Sequence, residues 1–211
     1  MTKKTFLAVL VLGLVVAVQA APVVVDNYSF ELPGSGKIKG WNGESGADVP
    51  GWVSDGQAVD SGVESDWPGH TDGLWTSFIM QGDPTIYNLT GHAIAAGEVF
   101  TLQVDARDNW TDGDADLMIS LYYDVAGVRN TVASSTFTLD AADVWMTYSL
   151  TFAANDTPAA IGNLIGIEID NVSPSASSWQ GLDNVRLDVI PEPATMLLMG
   201  LGATALIRKR K

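Results

Sequence analysis

Carboxylates are the residues with the most chemistry to offer: the chain holds nineteen Asp and six Glu. Aspartate suits turns and oxygen-ligand sites better than helix faces, so coordination of a hard cation is the first chemistry to consider. Asp105, Asp108, Asp112, Asp114 and Asp116 fall in one stretch. The spacing Asp112-x-Asp114-x-Asp116 matches the opening of an EF-hand loop, but Leu117 stands where that loop needs Gly and Tyr123 where it needs Glu. An EF-hand is thereby excluded, and two readings stay open: a solvated turn between strands and a low-affinity extracellular Ca²⁺ site. The second resource is aromatic. Seven tryptophans are many for 211 residues, and indole faces stack on sugar C–H surfaces while Asp, Asn and Gln grip hydroxyls. Trp67, in Asp66-Trp67-Pro68-Gly69-His70, and Trp110, between Asn109 and Thr111, sit among polar residues in expected loops and are candidate carbohydrate platforms. Trp145 joins them because its parity is opposite to that of Met146, Tyr148, Leu150 and Phe152. Trp52, in Pro50-Gly51-Trp52, reads as core. A loop Trp can equally cap a sandwich edge.

Catalytic chemistry has little footing. His70 and His92 are the only histidines, and cysteine is absent, which removes thiol catalysis, Cys-ligated metals and disulfides. Neither Gly-x-Ser-x-Gly nor His-Glu-x-x-His occurs. Gly34-Ser-Gly36-Lys-Ile-Lys-Gly40 has neither the spacing of a dinucleotide loop nor the Lys-Ser/Thr of a phosphate loop. No pair of carboxylates is nominated for glycoside hydrolysis. The expectation is therefore a protein that is not an enzyme.

The elements that must position these residues read as β throughout. Phe100, Leu102, Val104 and Ala106 alternate with polar residues, the period of a half-buried strand. The pattern recurs at Leu117–Tyr123, Met146–Phe152, Ile165–Ile169 and Val185–Val189, with shorter candidates at Val23–Val25, Tyr28–Leu32, Leu74–Met80, Thr85–Thr90 and Thr131–Leu139. Turn clusters separate them, and no helical stripe of useful length appears. Eight to ten short strands predict an all-β, antiparallel two-sheet sandwich. Ser35–Gly73 is unlike the rest: thirty-nine residues hold nine Gly and show little alternation. It reads as irregular strands near Gly51–Val53 and Gln57–Val59 joined by ordered loops.

The ends carry different signals. Residues 1–20 present Lys3 and Lys4, an uncharged run and the small-residue site Val18-Gln19-Ala20, the order of a secretory signal peptide. Residues 191–211 begin with Pro191-Glu192-Pro193, continue through fourteen uncharged residues, Ala194–Ile207, and close on Arg208-Lys209-Arg210-Lys211. As a helix the uncharged run spans roughly 21 Å, a short transmembrane segment that its snorkelling basic end completes. Between the ends, residues 21–190 form one domain. It holds five basic residues against twenty-four acidic ones, a net charge of −19. Such a surface repels nucleic acid and anionic membrane alike.

The final residues resemble the PEP-CTERM sorting signal of exopolysaccharide-producing Gram-negative bacteria. The resemblance implies transient anchoring in the inner membrane until an exosortase cuts near Pro191, Glu192 and Pro193 and sends the domain to the cell surface or outward. A second resemblance rests on Asn27-Tyr28-Ser29-Phe30-Glu31, Pro50-Gly51-Trp52 and Leu182-Asp183-Asn184-Val185-Arg186-Leu187. These are similar to the frame of galactose-binding-domain-like jelly rolls, which include carbohydrate-binding modules. That family implies a jelly-roll sandwich and a structural calcium ion held by Glu31 and Asp183, which ties the first strand to the last. The alternative is that both are solvated or hydrogen-bonded carboxylates at strand ends. Together the readings predict an exported protein that binds a polysaccharide or contributes to the exopolysaccharide matrix of a biofilm. The alternatives are a surface or adhesion protein without a glycan pocket and a secreted polysaccharide-degrading enzyme.

Overall fold

The computed structural model describes residues 19–34, 38–42, 48–65, 69–109, 115–139 and 144–191. Residues 1–18 of the expected signal peptide, the tail from Glu192 onward, Trp67 and Trp110 lie outside the described residues. Among those described, no helix is long and apolar enough to cross a membrane.

Twelve strands are described: β1 (Ala21–Val23), β2 (Ile38–Lys39), β3 (Val53–Ser54), β4 (Gly62–Glu64), β5 (Thr76–Met80), β6 (Ile86–Ala93), β7 (Glu98–Asp108), β8 (Asp116–Val125), β9 (Val128–Thr138), β10 (Met146–Ala153), β11 (Leu164–Asn171) and β12 (Trp179–Pro191). They form a seven-stranded sheet in the order β10-β7-β12-β5-β4-β2, with β1 also on β12, and a five-stranded sheet β3-β6-β11-β8-β9. Every pairing is antiparallel. The protein is a jelly-roll sandwich, as the strand pattern and the resemblance led us to expect.

Period-two alternation builds the core. Phe100, Leu102, Val104 and Ala106 of β7 face Leu117, Ile119 and Leu121 of β8 and Ile165, Ile167 and Ile169 of β11, all without exposed surface. At roughly 2 kcal/mol for each fully buried aliphatic or Phe side chain, this double layer is the main source of stability. Burial of the inward row falls off toward the edge. On β10, Phe152 is buried but Met146, at the other end of the same row, is exposed, because β10 is the terminal strand of its sheet. Both sheet edges meet there, with Phe137 and Tyr148 ring centroids 5.3 Å apart.

Two short-strand expectations are corrected. Tyr28–Leu32 is a turn, not a strand: Phe30 N–H donates to Asn27 O (3.0 Å), and Asn27 and Phe30 adopt φ of 51° and 57°. Asn27 closes the turn by bonding Leu32 in both directions, and its own carbonyl accepts Trp52 Nε1–H at 3.1 Å. The turn thereby drives Phe30 fully into the core, stacked on Trp52 at 5.0 Å. Left-handed backbone at a non-glycine costs on the order of 1 kcal/mol or more, and this aromatic packing offsets it. Gln57–Val59 is likewise not a strand. Buried Asp83 holds the backbone that follows, accepting Val59 N–H at 2.7 Å, Asp60 N–H at 2.9 Å and Ser61 Oγ–H at 2.5 Å.

Candidate functional site

The two carboxylates expected to share a cation instead hold a loop. A register shift in β12 between Asp183 and Arg186, with Asn184 at φ 50°, sets Asp183 against residues 71–72 with none of its surface exposed. Asp183 Oδ2 accepts Thr71 N–H (2.6 Å), Thr71 Oγ1–H (3.0 Å) and Asp72 N–H (2.8 Å), while Oδ1 accepts Asn184 N–H (2.7 Å). Burial pushes its carboxyl above the ordinary value, and these donors pull the other way. Glu31 Oε1 accepts Leu74 N–H (2.7 Å) and Trp75 N–H (2.8 Å). Gly73 lies between the two anchors at φ 65°, and a Cβ there would stand 2.0 Å from Glu31 Oε1. Both oxygens of Asp183 face N–H donors, so a calcium ion shared by this pair does not fit the present arrangement. Among the described residues no group of three or more His, Cys, Asp or Glu is placed to hold a metal ion.

Asp105 adjoins this clamp. It is 6% exposed and accepts Thr147 Oγ1–H (2.6 Å), Asn184 Nδ2–H (2.9 Å) and Arg186 Nη2–H (2.9 Å). Burial raises its carboxyl, but these donors outweigh burial and hold it below the usual range. Of the other acids in that cluster, Asp108 is buried and Asp116 accepts Thr138 Oγ1–H, while Asp112 and Asp114 lie outside the described residues. Trp145 is half-buried on the same face, with the Arg107 guanidinium 5.2 Å from its ring centroid. A Cβ on Gly69 would come 3.2 Å from Trp145 Nε1, so a loop already lies over the indole. His92 Nε2 lies 3.1 Å from Glu98 Oε2 and its ring packs on Phe100, whereas His70 is exposed. Nothing joins the two histidines.

The outer face of the five-stranded sheet is built otherwise. Gly166 of β11 pairs with Tyr122 of β8, and a Cβ on Gly166 would lie 2.2 Å from Tyr122 Cζ. The missing side chain lets the Tyr122 ring lie flat across the neighbouring strand. Arg129 of β9 then reaches back over Tyr122 (5.9 Å) and Tyr87 (4.0 Å), pairing with Glu168 and Asp55 at 2.5 Å each. Desolvation opposes its charge, and the two carboxylates restore it.

Beside this clip opens a concavity of about 700 Å³. Its apolar floor is Val53 and Leu89, 39% and 42% exposed, with half-buried Tyr87. Asp26 and Asp48, both exposed, stand at its rim. Gly51, at φ 83°, leaves room for Asp26, whose Cβ would be 2.8 Å from a Cβ at position 51. Trp145 is not among the lining residues. Sequence reasoning passed over Tyr87, Leu89, Asp26 and Asp48. Their signals, an exposed apolar residue on a central strand and acids flanking Pro50-Gly51-Trp52, become visible only once β3 is known to pair with β6.

Comparison with known proteins sharpens this picture. A family model described as HpiC1-like, HpiC1 cyclase, matches residues 21–188. A second, described as the PEP-CTERM protein-sorting motif, matches residues 189–211 and indicates a sorting route to the cell surface. No curated protein matches the chain in sequence. Among solved structures, a cyclase from Fischerella sp. TAU superposes with a TM-score of 0.65 at 17% identity, over 82% of this chain and 99% of that one. The Stig cyclase Fisc from the same source, in complex with (3Z)-3-(1-methyl-2-pyrrolidinylidene)-3H-indole, gives the same TM-score and identity over 82% and 100%. The CBM22-1 xylan-binding domain of Paenibacillus barcinonensis Xyn10C superposes at 0.51 and 14% identity, over 83% of this chain and 99% of that one. At these identities the likeness concerns the fold. With its whole sandwich matched, the chain belongs to the HpiC1-like family, and it ends in a PEP-CTERM sorting motif.

Proposed function

We propose that this protein is a non-enzymatic carbohydrate-binding module of the cell surface, released into the extracellular matrix after an exosortase processes its tail. Transient anchoring in the inner membrane through residues 192–211 is part of the same proposal. The observation that carries it is the concavity at β3 and β6, where an apolar floor of Val53, Tyr87 and Leu89 lies beside unpaired acceptors on Asp26 and Asp48. Sugar rings are apolar on their C–H faces and polar around their rims, and such a site meets both demands. The jelly roll shared with a xylan-binding domain supports the reading at the level of fold. Isothermal titration of the purified protein with a panel of oligosaccharides tests it. Binding that weakens on Tyr87→Ala and Leu89→Ala is expected, and a full panel without binding overturns it. For the tail, the intact mass of the secreted protein is decisive: material still ending in Arg208–Lys211 sinks the processing step.

The family match favours a second reading, a cyclase that closes a ring in a small-molecule substrate. The buried clamp around Asp183 and Asp105 is then the acid-bearing region to test. Ring-closure turnover that disappears in Asp105→Asn or Asp183→Asn, with the fold retained, supports the enzyme over the module.

A further inference from the structure

We propose that the end of the sandwich from which Pro191 leads into the tail rests on the lipid bilayer while the chain is anchored, with an apolar tip of Val125, Val128, Ile161 and Leu164 in the membrane interface. This is independent of the carbohydrate reading and rests on the anchoring reading. Strand register gathers the parts at one end. Pro191 of β12 pairs with Glu98 of β7, Ala21 of β1 with Val189, and Ala153 of β10 with Val99. In the other sheet Leu164 of β11 pairs with Ala93 of β6 and with Asp124 of β8, just before the β8–β9 turn. Residues 94–97 join the two sheets here, and Ile94 N–H donates to Asn163 O (2.9 Å) while Gly162 N–H donates to Ile94 O (2.8 Å). The chain thus enters β1 and leaves β12 at the same, well-tied end.

The reach of the tail fixes how close this end comes to lipid. Only Glu192 and Pro193 separate Pro191, the last residue of β12, from the uncharged run that begins at Ala194. Even fully extended, the chain from 191 to 194 spans at most about 11 Å. An anchored run therefore holds the end of β12 at the membrane surface, with no linker on which the domain could stand off. What this end exposes suits that neighbour. Val125 and Val128 are 45% and 61% exposed, and Ile161 and Leu164 are 37% each. The connections here, 94–97, 126–127 and 154–163, hold one charged residue in sequence, Asp156, whereas those at the opposite end, 81–85, 109–115, 139–145 and 172–178, hold five, all Asp. Of the acids at the neighbouring strand ends, Glu98 accepts Ala95 N–H (2.7 Å) and Asp124 accepts Gly127 N–H (3.1 Å). Arg129, beside the β8–β9 turn, is paired with Asp55 and Glu168. The excess of negative charge, which as composition predicts repulsion from an anionic membrane, is thus weighted away from the bilayer, and the contact is apolar. Because the tether makes docking intramolecular, a small apolar tip suffices.

The chain has no cysteine, so single cysteines report cleanly. Val128→Cys at the proposed contact and Ser177→Cys, exposed at the opposite end, are each labelled with an environment-sensitive dye. The labelled protein, extracted from membranes, is reconstituted into phosphatidylcholine vesicles that carry nitroxide-labelled lipid. We expect quenching at position 128 to exceed that at 177 by about threefold or more, with blue-shifted emission at 128 alone. The difference should persist in 0.5 M NaCl, because an apolar contact is not screened. Val125→Asp with Ile161→Asp, both at exposed positions, should abolish the blue shift at 128 and leave the melting temperature in place. Equal quenching at 128 and 177 in protein that stays with the vesicles overturns this proposal and leaves the anchoring reading standing. A blue shift that survives the double variant also overturns it, as does one that appears only when the processing enzyme is reconstituted alongside, which would make the partner a protein. If alkaline carbonate strips the protein from the vesicles, the anchoring reading fails and this one with it.

Discussion

Carboxylates in two regions of this sandwich meet opposite surroundings. Beneath the loop at 71–75, Asp183 and Glu31 face backbone amides, and Asp83 does the same for residues 59 and 60. At the β3–β6 concavity, Asp26 and Asp48 face solvent. A long irregular stretch has amides that no sheet ladder satisfies, and a buried amide without an acceptor is costly. Charged acceptors projecting from ordered parts of the fold answer that need with strong bonds. Abundant aspartate in this chain is therefore first a way of ordering a glycine-rich segment. Only where no amide or cation meets the carboxylate is it free for a ligand.

The comparison breaks most visibly if the clamp residues prove dispensable. Asp183→Ala strands four donors in a buried site and should cost roughly 3 kcal/mol or more in chemical denaturation. Asp26→Ala should change stability by no more than about 0.5 kcal/mol. Equal costs for the two would sink the distinction. Gly73→Ala comes next, at about 2 kcal/mol, because it adds left-handed strain to an overlap with Glu31. On the other side, Leu89→Ala, at an exposed position, should weaken saccharide binding about tenfold with the melting temperature nearly unchanged.

Acid titration gives a smaller effect with a definite sign. Asp105 is held below its ordinary value, so its contribution is present above the unfolded pKa of about 3.9 and disappears as pH falls through its lower folded value. Asp105→Asn should therefore lose less stability between about pH 5 and pH 3 than the parent protein. A parallel acid limb in the two proteins removes that role. Asp183 has the opposite sign: its raised carboxyl loses stabilisation as pH rises through the folded value. The smallest expected change is with EDTA. If Glu31 and Asp183 serve amides alone, the melting temperature stays put, and a clear drop would restore the cation that the jelly-roll resemblance implied.

Much of the fold was legible in the residues. Period-two alternation placed β7, β8, β11 and β12 and the face each one buries, because a core-facing row must be apolar at every second position. Parity also put Trp145 on the outer face, where Arg107 meets it. The candidate site was harder to see. Asn27-Tyr28-Ser29-Phe30-Glu31 looks extended when only side-chain type is considered, yet it turns, since Asn27 bonds its own neighbours and Phe30 follows the aromatic core. Glu31 and Asp183 stood out as a pair by resemblance, as calcium ligands or as solvated or hydrogen-bonded carboxylates, but the loop at 71–75 that they hold was not legible.

By itself the sequence determined the all-β class, the acidic composition and the sorting motif, because each depends on local pattern or composition. Tertiary structure alone decided which carboxylates are occupied and which are open. That division depends on where amides from distant segments arrive: Thr71 lies more than a hundred positions from Asp183, and no local periodicity records their meeting. The concavity has the same origin. It exists because a two-residue strand, Val53–Ser54, pairs with β6 and brings Asp26 and Asp48 beside Tyr87 and Leu89.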